Sequence, residues 1–175
     1  MSLEGRRVAV LAEDVYQELE FWYPVMRLRE EGADVVVAAP RTGYAYESFL
    51  GYPLLAEQAI EQLDAETLDG VVVPGGQAGT RLQDWPAAVD LVRKLTERGA
   101  VTAAISTGSG VLAKAGAVKG RRATGDRSLE GSFRDAGATY VAGQEVVVDG
   151  PVITSRTPDD LPSFFRSIHQ VLQGK

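Results

Sequence analysis

At the centre of the chain stands Val101-Thr-Ala-Ala-Ile-Ser-Thr-Gly-Ser-Gly110, an apolar run that gives way to small and polar residues. Such a run predicts a buried strand, a sharp turn and the start of a helix. In an open parallel sheet, ligands bind outside the carboxyl ends of the strands, beside the backbone amides of helix starts. The residue at this turn is Ser106, so the pattern places its side chain at a cleft.

Three more apolar runs share this character, at residues 7–12, 34–39 and 70–76. Segments of helical periodicity separate the runs, and a final amphipathic segment, residues 161–172, closes the chain. Alternating strands and helices with right-handed crossovers predict a doubly wound α/β sandwich with a mostly parallel sheet.

The less regular segments predict smaller elements. Residues 41–53 are expected to form a loop or a short hairpin whose tyrosines line a cleft or a subunit contact. Residues 140–141 and 145–148 are expected to pair as strands, and Asp149-Gly150 indicates a hairpin turn before residues 152–154.

Composition limits the classes of function. The 175 residues carry a net charge of −6, with no basic stripe of the kind that binds nucleic acid. Without cysteine there is neither a disulfide nor a thiolate metal site, and a single histidine, His169, forms no cluster. No export signal or membrane-spanning stretch is apparent. We therefore expect one cytoplasmic domain, residues 1–175, with no metal, no cofactor and no membrane or nucleic-acid partner.

The candidate site residues lie at the ends of the predicted strands. Ala104-x-Ser106-x-Gly108 resembles the nucleophile elbow of serine hydrolases, although a small-residue turn with an N-cap would look the same. Glu20 stands near a helix start, where it either faces the cleft or is a solvated carboxylate that complements the helix dipole. The amides of Gly75 and Gly76 either bind an anion or belong to a tight turn.

Taken in order, four motifs resemble the ThiJ/PfpI superfamily, and the resemblance covers nearly the whole chain. The motifs are Glu20, Val71-Val-Val-Pro-Gly-Gly76, Ala104-Ile-Ser-Thr-Gly108, and Val146-Val-Val-Asp-Gly150 with Ser155-Arg-Thr-Pro-Asp-Asp-Leu161. The intracellular-protease-like branch is the most similar. The resemblance implies a flavodoxin-like three-layer sandwich related to class I glutamine amidotransferases, and a homo-oligomer.

The departures from that branch bear on the chemistry. The branch has Cys-His-Gly at the elbow and a glutamate from a neighbouring subunit, whereas this chain has Ser106-Thr107-Gly108 and, at the matching position, Thr80. Glu20 resembles the family carboxylate that hydrogen-bonds the elbow nucleophile. We therefore expect a hydrogen bond between Glu20 and Ser106, and a strained backbone at the elbow.

Two classes of function follow. A serine hydroxyl needs a positioned base, and none is evident, because His169 lies in the last helix and an ordinary carboxylate is a weak base for an alcohol. The first class is a stress-associated or ligand-binding protein that lacks the family's cysteine chemistry. It would hold a small polar or anionic ligand at Gly75, Gly76, Thr107 and Gly108. The second is a peptidase, esterase, glyoxalase-like or deglycase-like enzyme that uses Ser106 and Glu20.

Overall fold

The computed structural model describes residues 2–174. The strands are β1 (Arg7–Leu11), β2 (Asp34–Ala39), β3 (Ala45–Glu47), β4 (Pro53–Leu55), β5 (Gln58–Ala59), β6 (Gly70–Val73), β7 (Val101–Ile105), β8 (Arg122–Ala123), β9 (Thr139–Tyr140), β10 (Val146–Asp149) and β11 (Val152–Ser155). The helices are α1 (Glu18–Glu30), α2 (Gln77–Leu82), α3 (Pro86–Glu97), α4 (Ser109–Lys114), α5 (Glu130–Asp135) and α6 (Leu161–Gln173).

Seven of these strands form one sheet in the order β10-β11-β7-β6-β1-β2-β5. Every neighbouring pair is parallel except β10 and β11, which are joined by the hairpin expected at Asp149-Gly150. The predicted α/β fold class, a mostly parallel sheet between helices, is therefore confirmed.

Alternate residues of each central strand supply the two apolar layers. Val8 and Val10 of β1 pack in one core with α1 and α6, whereas Ala9 and Leu11 pack in the other with α3, α4 and α5. Because both faces are covered, the strands read in the sequence as continuous apolar runs rather than as alternating patterns.

Some local expectations were wrong. Tyr140 belongs to β9, which pairs in parallel with β8 and not with residues 145–148. Tyr46, one of the tyrosines expected to line a cleft or a subunit contact, is only 2% exposed: its hydroxyl hydrogen-bonds the backbone of Arg41 and its ring contacts Tyr44. Residues 45–55 form the short hairpin that was one of the two alternatives.

The strand order brings three loops together at one edge of the sheet. β1 lies between β6 and β2, so the connections after β1 and β6 leave the sheet in different directions. Such a switch point opens a crevice at the carboxyl ends of the strands. The loop after β7 borders the same crevice, because β7 is the next neighbour of β6. No helix in residues 2–174 has the length and apolar character needed to cross a membrane.

Candidate functional site around Ser106

Ser106 follows β7 directly and has a φ of 55°, in the left-handed region that a non-glycine residue seldom adopts. The residues Ser106–Gly108 form a single 3-10 turn that leads into α4. The strained elbow that the sequence predicted is therefore confirmed. Such strain is costly and persists where the surrounding structure imposes it, which is common at binding sites.

Close backbone contacts impose this conformation. A Cβ on Gly108 would lie 2.4 Å from the Pro74 carbonyl oxygen, so only glycine lets the elbow approach the turn after β6. The Thr107 hydroxyl donates a hydrogen bond of 2.6 Å to the Gly76 carbonyl oxygen. Gln83 donates from its side-chain amide to the Thr107 carbonyl oxygen at 3.1 Å. Glycine packing and two hydrogen bonds thus fix the elbow against the β6 loop and α2.

Glu20 lies in the first turn of α1 and is buried, with 1% of its surface exposed. The Gln17 side chain caps this turn by accepting the Glu20 backbone N–H at 2.8 Å. Glu20 Oε2 accepts the Gly75 backbone N–H, also at 2.8 Å. Burial raises the pKa of Glu20 to about 7, the Gly75 N–H opposes that rise, and the negative charge of Asp126 adds to it. The solvated-carboxylate alternative is therefore wrong.

Glu20 and Ser106 converge on Gly75. A Cβ built on Gly75 would lie 2.5 Å from Glu20 Oε2 and 3.0 Å from Ser106 Oγ. Among residues 2–174, however, no hydrogen bond joins Glu20 to Ser106, and the Ser106 hydroxyl has no other protein partner. Glu20 Oε2 instead accepts the Gly75 N–H.

The other candidate residues divide between packing and the cleft. Gly75 uses its N–H for Glu20, and Gly108 serves the close approach described above. Gly76 has a φ of 77°, so a glycine is favoured there, and within the described part of the chain its N–H makes no hydrogen bond. Thr107 faces the Gly76 carbonyl. The glycine positions therefore include both the tight turn and, among residues 2–174, one backbone amide without a hydrogen-bond acceptor.

His169 does not join the site. It lies on α6, where its ring contacts Phe165 and its Nε2 is 3.2 Å from Glu31 Oε2. It supplies no base to Ser106, as the sequence indicated. Within residues 2–174, no group of three or more His, Cys, Asp or Glu side chains is arranged to hold a metal ion.

Sequence reasoning missed Asp126. Its backbone N–H donates to the Ser106 carbonyl oxygen at 3.3 Å, and its side chain caps the next turn by accepting the Ser128 N–H at 2.9 Å. Its charge contributes to the raised pKa of Glu20. The sequence pattern that involves Asp126 is the spacing Asp126-x-Ser128. This spacing is typical of a local turn cap and does not predict a contact with residue 106.

The comparisons with known proteins agree with this architecture. The DJ-1/PfpI family profile matches residues 6–170. A protein from Archaeoglobus fulgidus is 40% identical over 171 residues, which cover 95% of this chain and 98% of that protein. A deglycase from Pyrococcus abyssi is 34% identical over 167 residues, covering 95% and 99%. The crystal structure of Drosophila melanogaster DJ-1beta, at 30% identity, superposes with a TM-score of 0.89 over 100% of this chain and 92% of that one. The chain belongs to the DJ-1/PfpI family.

Proposed function

We propose that this chain, as one domain of residues 1–175, binds a small polar molecule at Ser106 and does not perform the cysteine chemistry of the branch it resembles. In this proposal Ser106 stands where that branch has its elbow cysteine. The observation that carries the proposal is the unpartnered hydroxyl: among residues 2–174 no side chain accepts the Ser106 proton. The stress association implied by the resemblance remains a prediction.

The chemistry of Glu20 supports this reading. A serine hydroxyl becomes a nucleophile when an adjacent base takes its proton. Glu20 is buried, its Oε2 is already bonded to the Gly75 N–H, and its pKa of about 7 keeps much of it protonated near neutral pH. A protonated carboxyl group donates a hydrogen bond, so Glu20 and Ser106 suit recognition of a polar ligand.

The groups available to that ligand are few and fixed. Ser106 offers its hydroxyl, Glu20 its carboxyl group, and Gly76 its backbone N–H. The strained elbow and the hydrogen bond from Thr107 to Gly76 hold these groups in place before a ligand arrives. Preorganisation of this kind reduces the entropic cost of binding.

A second candidate is an enzyme of the hydrolase or deglycase type. Two observations favour it: the pKa of Glu20 lies near 7, where a general base works best at neutral pH, and the relative from Pyrococcus abyssi is named a deglycase. In that case Glu20 would accept a proton from Ser106 or from a water molecule once the ligand had reorganised the site.

One experiment separates the two. Purified wild type, Ser106→Ala and a matched control, Ser132→Ala, are assayed against peptides, an activated ester and methylglyoxal. Ser132 is an exposed serine on α5 and serves as the remote hydroxyl. We expect no turnover that depends on Ser106. Turnover by wild type and Ser132→Ala that Ser106→Ala abolishes would reject the binding-only proposal and establish the enzyme.

The resemblance implies a homo-oligomer, and we propose that the protein is a homodimer. Of the eight large apolar side chains that are exposed in residues 2–174, six come from α1 and from residues 49–55: Leu19, Met26, Phe49, Leu50, Tyr52 and Leu55. These two segments touch, because the Leu50 N–H donates to Glu18 and Trp22 packs edge-on against Tyr52. A contiguous exposed apolar patch is typical of a protein interface.

A further inference from the structure

The loop that carries Asp126 is packed tightly on the elbow. Its backbone N–H donates to the Ser106 carbonyl oxygen at 3.3 Å. A side chain on the preceding residue, Gly125, would lie 3.0 Å from the Ser109 Cβ and 3.2 Å from the Phe133 ring. The Asp126 carboxylate is fixed in turn by hydrogen bonds from the Ser128 N–H and hydroxyl, at 2.9 and 2.6 Å. Asp126 therefore has a defined position beside Ser106.

The charges around the site are distributed unevenly. The negative charge of Asp126 contributes to the raised pKa of Glu20. Two arginines, Arg127 and Arg156, line a cavity of about 410 Å³ next to this loop, together with Gly125 and Tyr140. Arg156 is also held by Asp160 through two hydrogen bonds, of 2.8 and 2.9 Å.

The remaining charges near the cleft are paired or turned away. Glu18, on the same helix as Glu20, accepts the Leu50 N–H. Glu13, in the loop after β1, accepts the Asp14 N–H and lies 4.0 Å from Arg81 of α2. Asp14 accepts the Tyr44 hydroxyl at 2.8 Å. Asp126, whose backbone N–H is bonded to the Ser106 carbonyl oxygen, therefore adds a negative charge next to the elbow.

We propose that Asp126 is a specificity-determining residue that makes the Ser106 site select neutral or cationic small molecules, such as polyols, sugars and primary amines, over carboxylates and phosphates. This inference rests on the proposed binding function of the Ser106 site and narrows the expected polar or anionic ligand. A ligand carboxylate would be repelled by the negative charge of Asp126. An ammonium or hydroxyl group would be attracted to the same carboxylate.

A purely structural role for Asp126 is the alternative, because the residue caps the turn Arg127–Leu129. Asparagine caps as well as aspartate and carries no charge, so Asp126→Asn removes the field and keeps the cap. Asp126→Ala removes both. Asp64 provides a matched control, since its side chain caps the turn Ala65–Thr67 by accepting the Glu66 N–H at 2.9 Å.

The test measures the local charge at residue 106 directly. Because the chain has no cysteine, Ser106→Cys gives a single thiol. It is treated with two methanethiosulfonates of similar size, one with an aminoethyl group (cationic) and one with a sulfonatoethyl group (anionic). The thiolate attacks the reagent's divalent sulfur, a new S–S bond forms, the thiosulfonate S–S bond breaks, and methanesulfinate leaves with the electron pair. The ratio of the rate constant for the cationic reagent to that for the anionic reagent reports the local charge at residue 106. A change in the pKa of the thiol alters both rate constants by the same factor and so leaves the ratio unchanged.

We expect the ratio to exceed that of a surface reference, Ser132→Cys, and to fall about fivefold or more when Asp126→Asn is added to Ser106→Cys. Adding Asp64→Asn should leave the ratio unchanged. A ratio unaffected by Asp126→Asn would overturn the inference, and a change seen with Asp126→Ala alone would assign Asp126 to capping. The ratio needs no ligand or turnover, so the inference fails independently of the proposed function, which is decided by the Ser106→Ala assay.

Discussion

Glu20 and Gly75 are joined by a hydrogen bond of 2.8 Å from the Gly75 N–H to Glu20 Oε2, and that oxygen lies 2.5 Å from where a Cβ on Gly75 would stand. The contact brings an α1 carboxyl group onto the backbone of the turn after β6. It requires a residue without a side chain at position 75. One glycine therefore lets the carboxyl group and the elbow serine share the same small space.

Gly75→Ala should disrupt this site. The new methyl group would meet Glu20 Oε2 at 2.5 Å and the Ser106 Cβ at 2.7 Å, so at least one of these side chains must move. Overpacking of this kind costs about 1–3 kcal/mol. Urea unfolding should show that loss of stability for Gly75→Ala. Gly131→Ala is the control, because its Cβ meets nothing within 4 Å, and alanine in the helix should stabilise by up to about 1 kcal/mol. Equal stabilities of the two variants would contradict the packing argument.

The raised pKa of Glu20 predicts a pH dependence of stability. In the unfolded chain the carboxyl group has its ordinary pKa of 4.5, whereas in the folded protein the pKa is about 7. Between these pH values the folded state binds more protons at Glu20 than the unfolded state does. The contribution of Glu20 to the free energy of unfolding is therefore complete below pH 4.5 and is lost as the pH rises through about 7. The loss from this one group is on the order of 3 kcal/mol.

Glu20→Gln isolates that contribution. Glutamine is similar in shape, can accept the Gly75 N–H, and does not titrate. The difference in unfolding free energy between Glu20→Gln and wild type, measured in urea, should grow in favour of the variant from pH 5 to pH 8. Taking the difference removes the pH dependence that the rest of the chain contributes to both proteins. A difference that stays constant over this range would show that Glu20 titrates alike in both states.

The sequence predicted those features that depend on local patterns. Apolar runs identified the central strands because both faces of the sheet are covered, and the serine between an apolar run and a glycine identified the strained elbow at Ser106. The proximity of Glu20 to Ser106 followed from the position of Glu20 near the start of the first helix, close to the carboxyl end of the first strand. These predictions required only strand order and the general geometry of an open sheet.

Features that depend on contacts between distant segments were missed. Asp126 reaches Ser106 through a backbone hydrogen bond across twenty residues, and a local cap motif gives no sign of that contact. The two-residue strand β9 is too short to show an alternating pattern, so its pairing with β8 could not be read. Tyr46 and Tyr52 look alike in the sequence, but Tyr46 is buried and Tyr52 is exposed. The hydrogen bond from the Gly75 N–H to Glu20 Oε2 was also missed, because Glu20 was expected to bond to Ser106.

The apolar patch on α1 and residues 49–55 predicts which substitutions break the proposed dimer. Leu50 is 80% exposed, so Leu50→Asp should leave the folded monomer intact while placing a charge in the interface. Light scattering at micromolar concentration should give a dimer for wild type and a monomer for Leu50→Asp. Val148→Asp is the control, because Val148 is exposed on β10, outside the patch. A monomeric wild type would refute the assembly.

The last prediction is that introducing peptidase chemistry requires more than one substitution. Ser106→Cys would place a thiol beside Glu20 and beside the backbone amides of the following turn. These amides tend to lower the pKa of a thiol, so the reactivity of residue 106 with an alkylating agent should rise. Acyl transfer also needs a proton donor that reaches the leaving group, and we expect Glu20, which is buried and held by the Gly75 N–H, not to reach it. Ser106→Cys alone should therefore alkylate without cleaving peptides.

Turnover should appear only when Thr107→His and Thr80→Glu are added to Ser106→Cys. Thr107 already contacts the Gly76 carbonyl, so a histidine there stands at the elbow, although it gives up that hydrogen bond. Thr80 is exposed on α2, where a glutamate would be open to a neighbouring subunit. Wild type, the single variant and the triple variant are compared on one peptide substrate, with Ser106→Ala as the blank. Cleavage by the single variant would show that the chain already holds a proton donor. An inactive triple variant would show that residue 80 does not reach the cleft of another subunit.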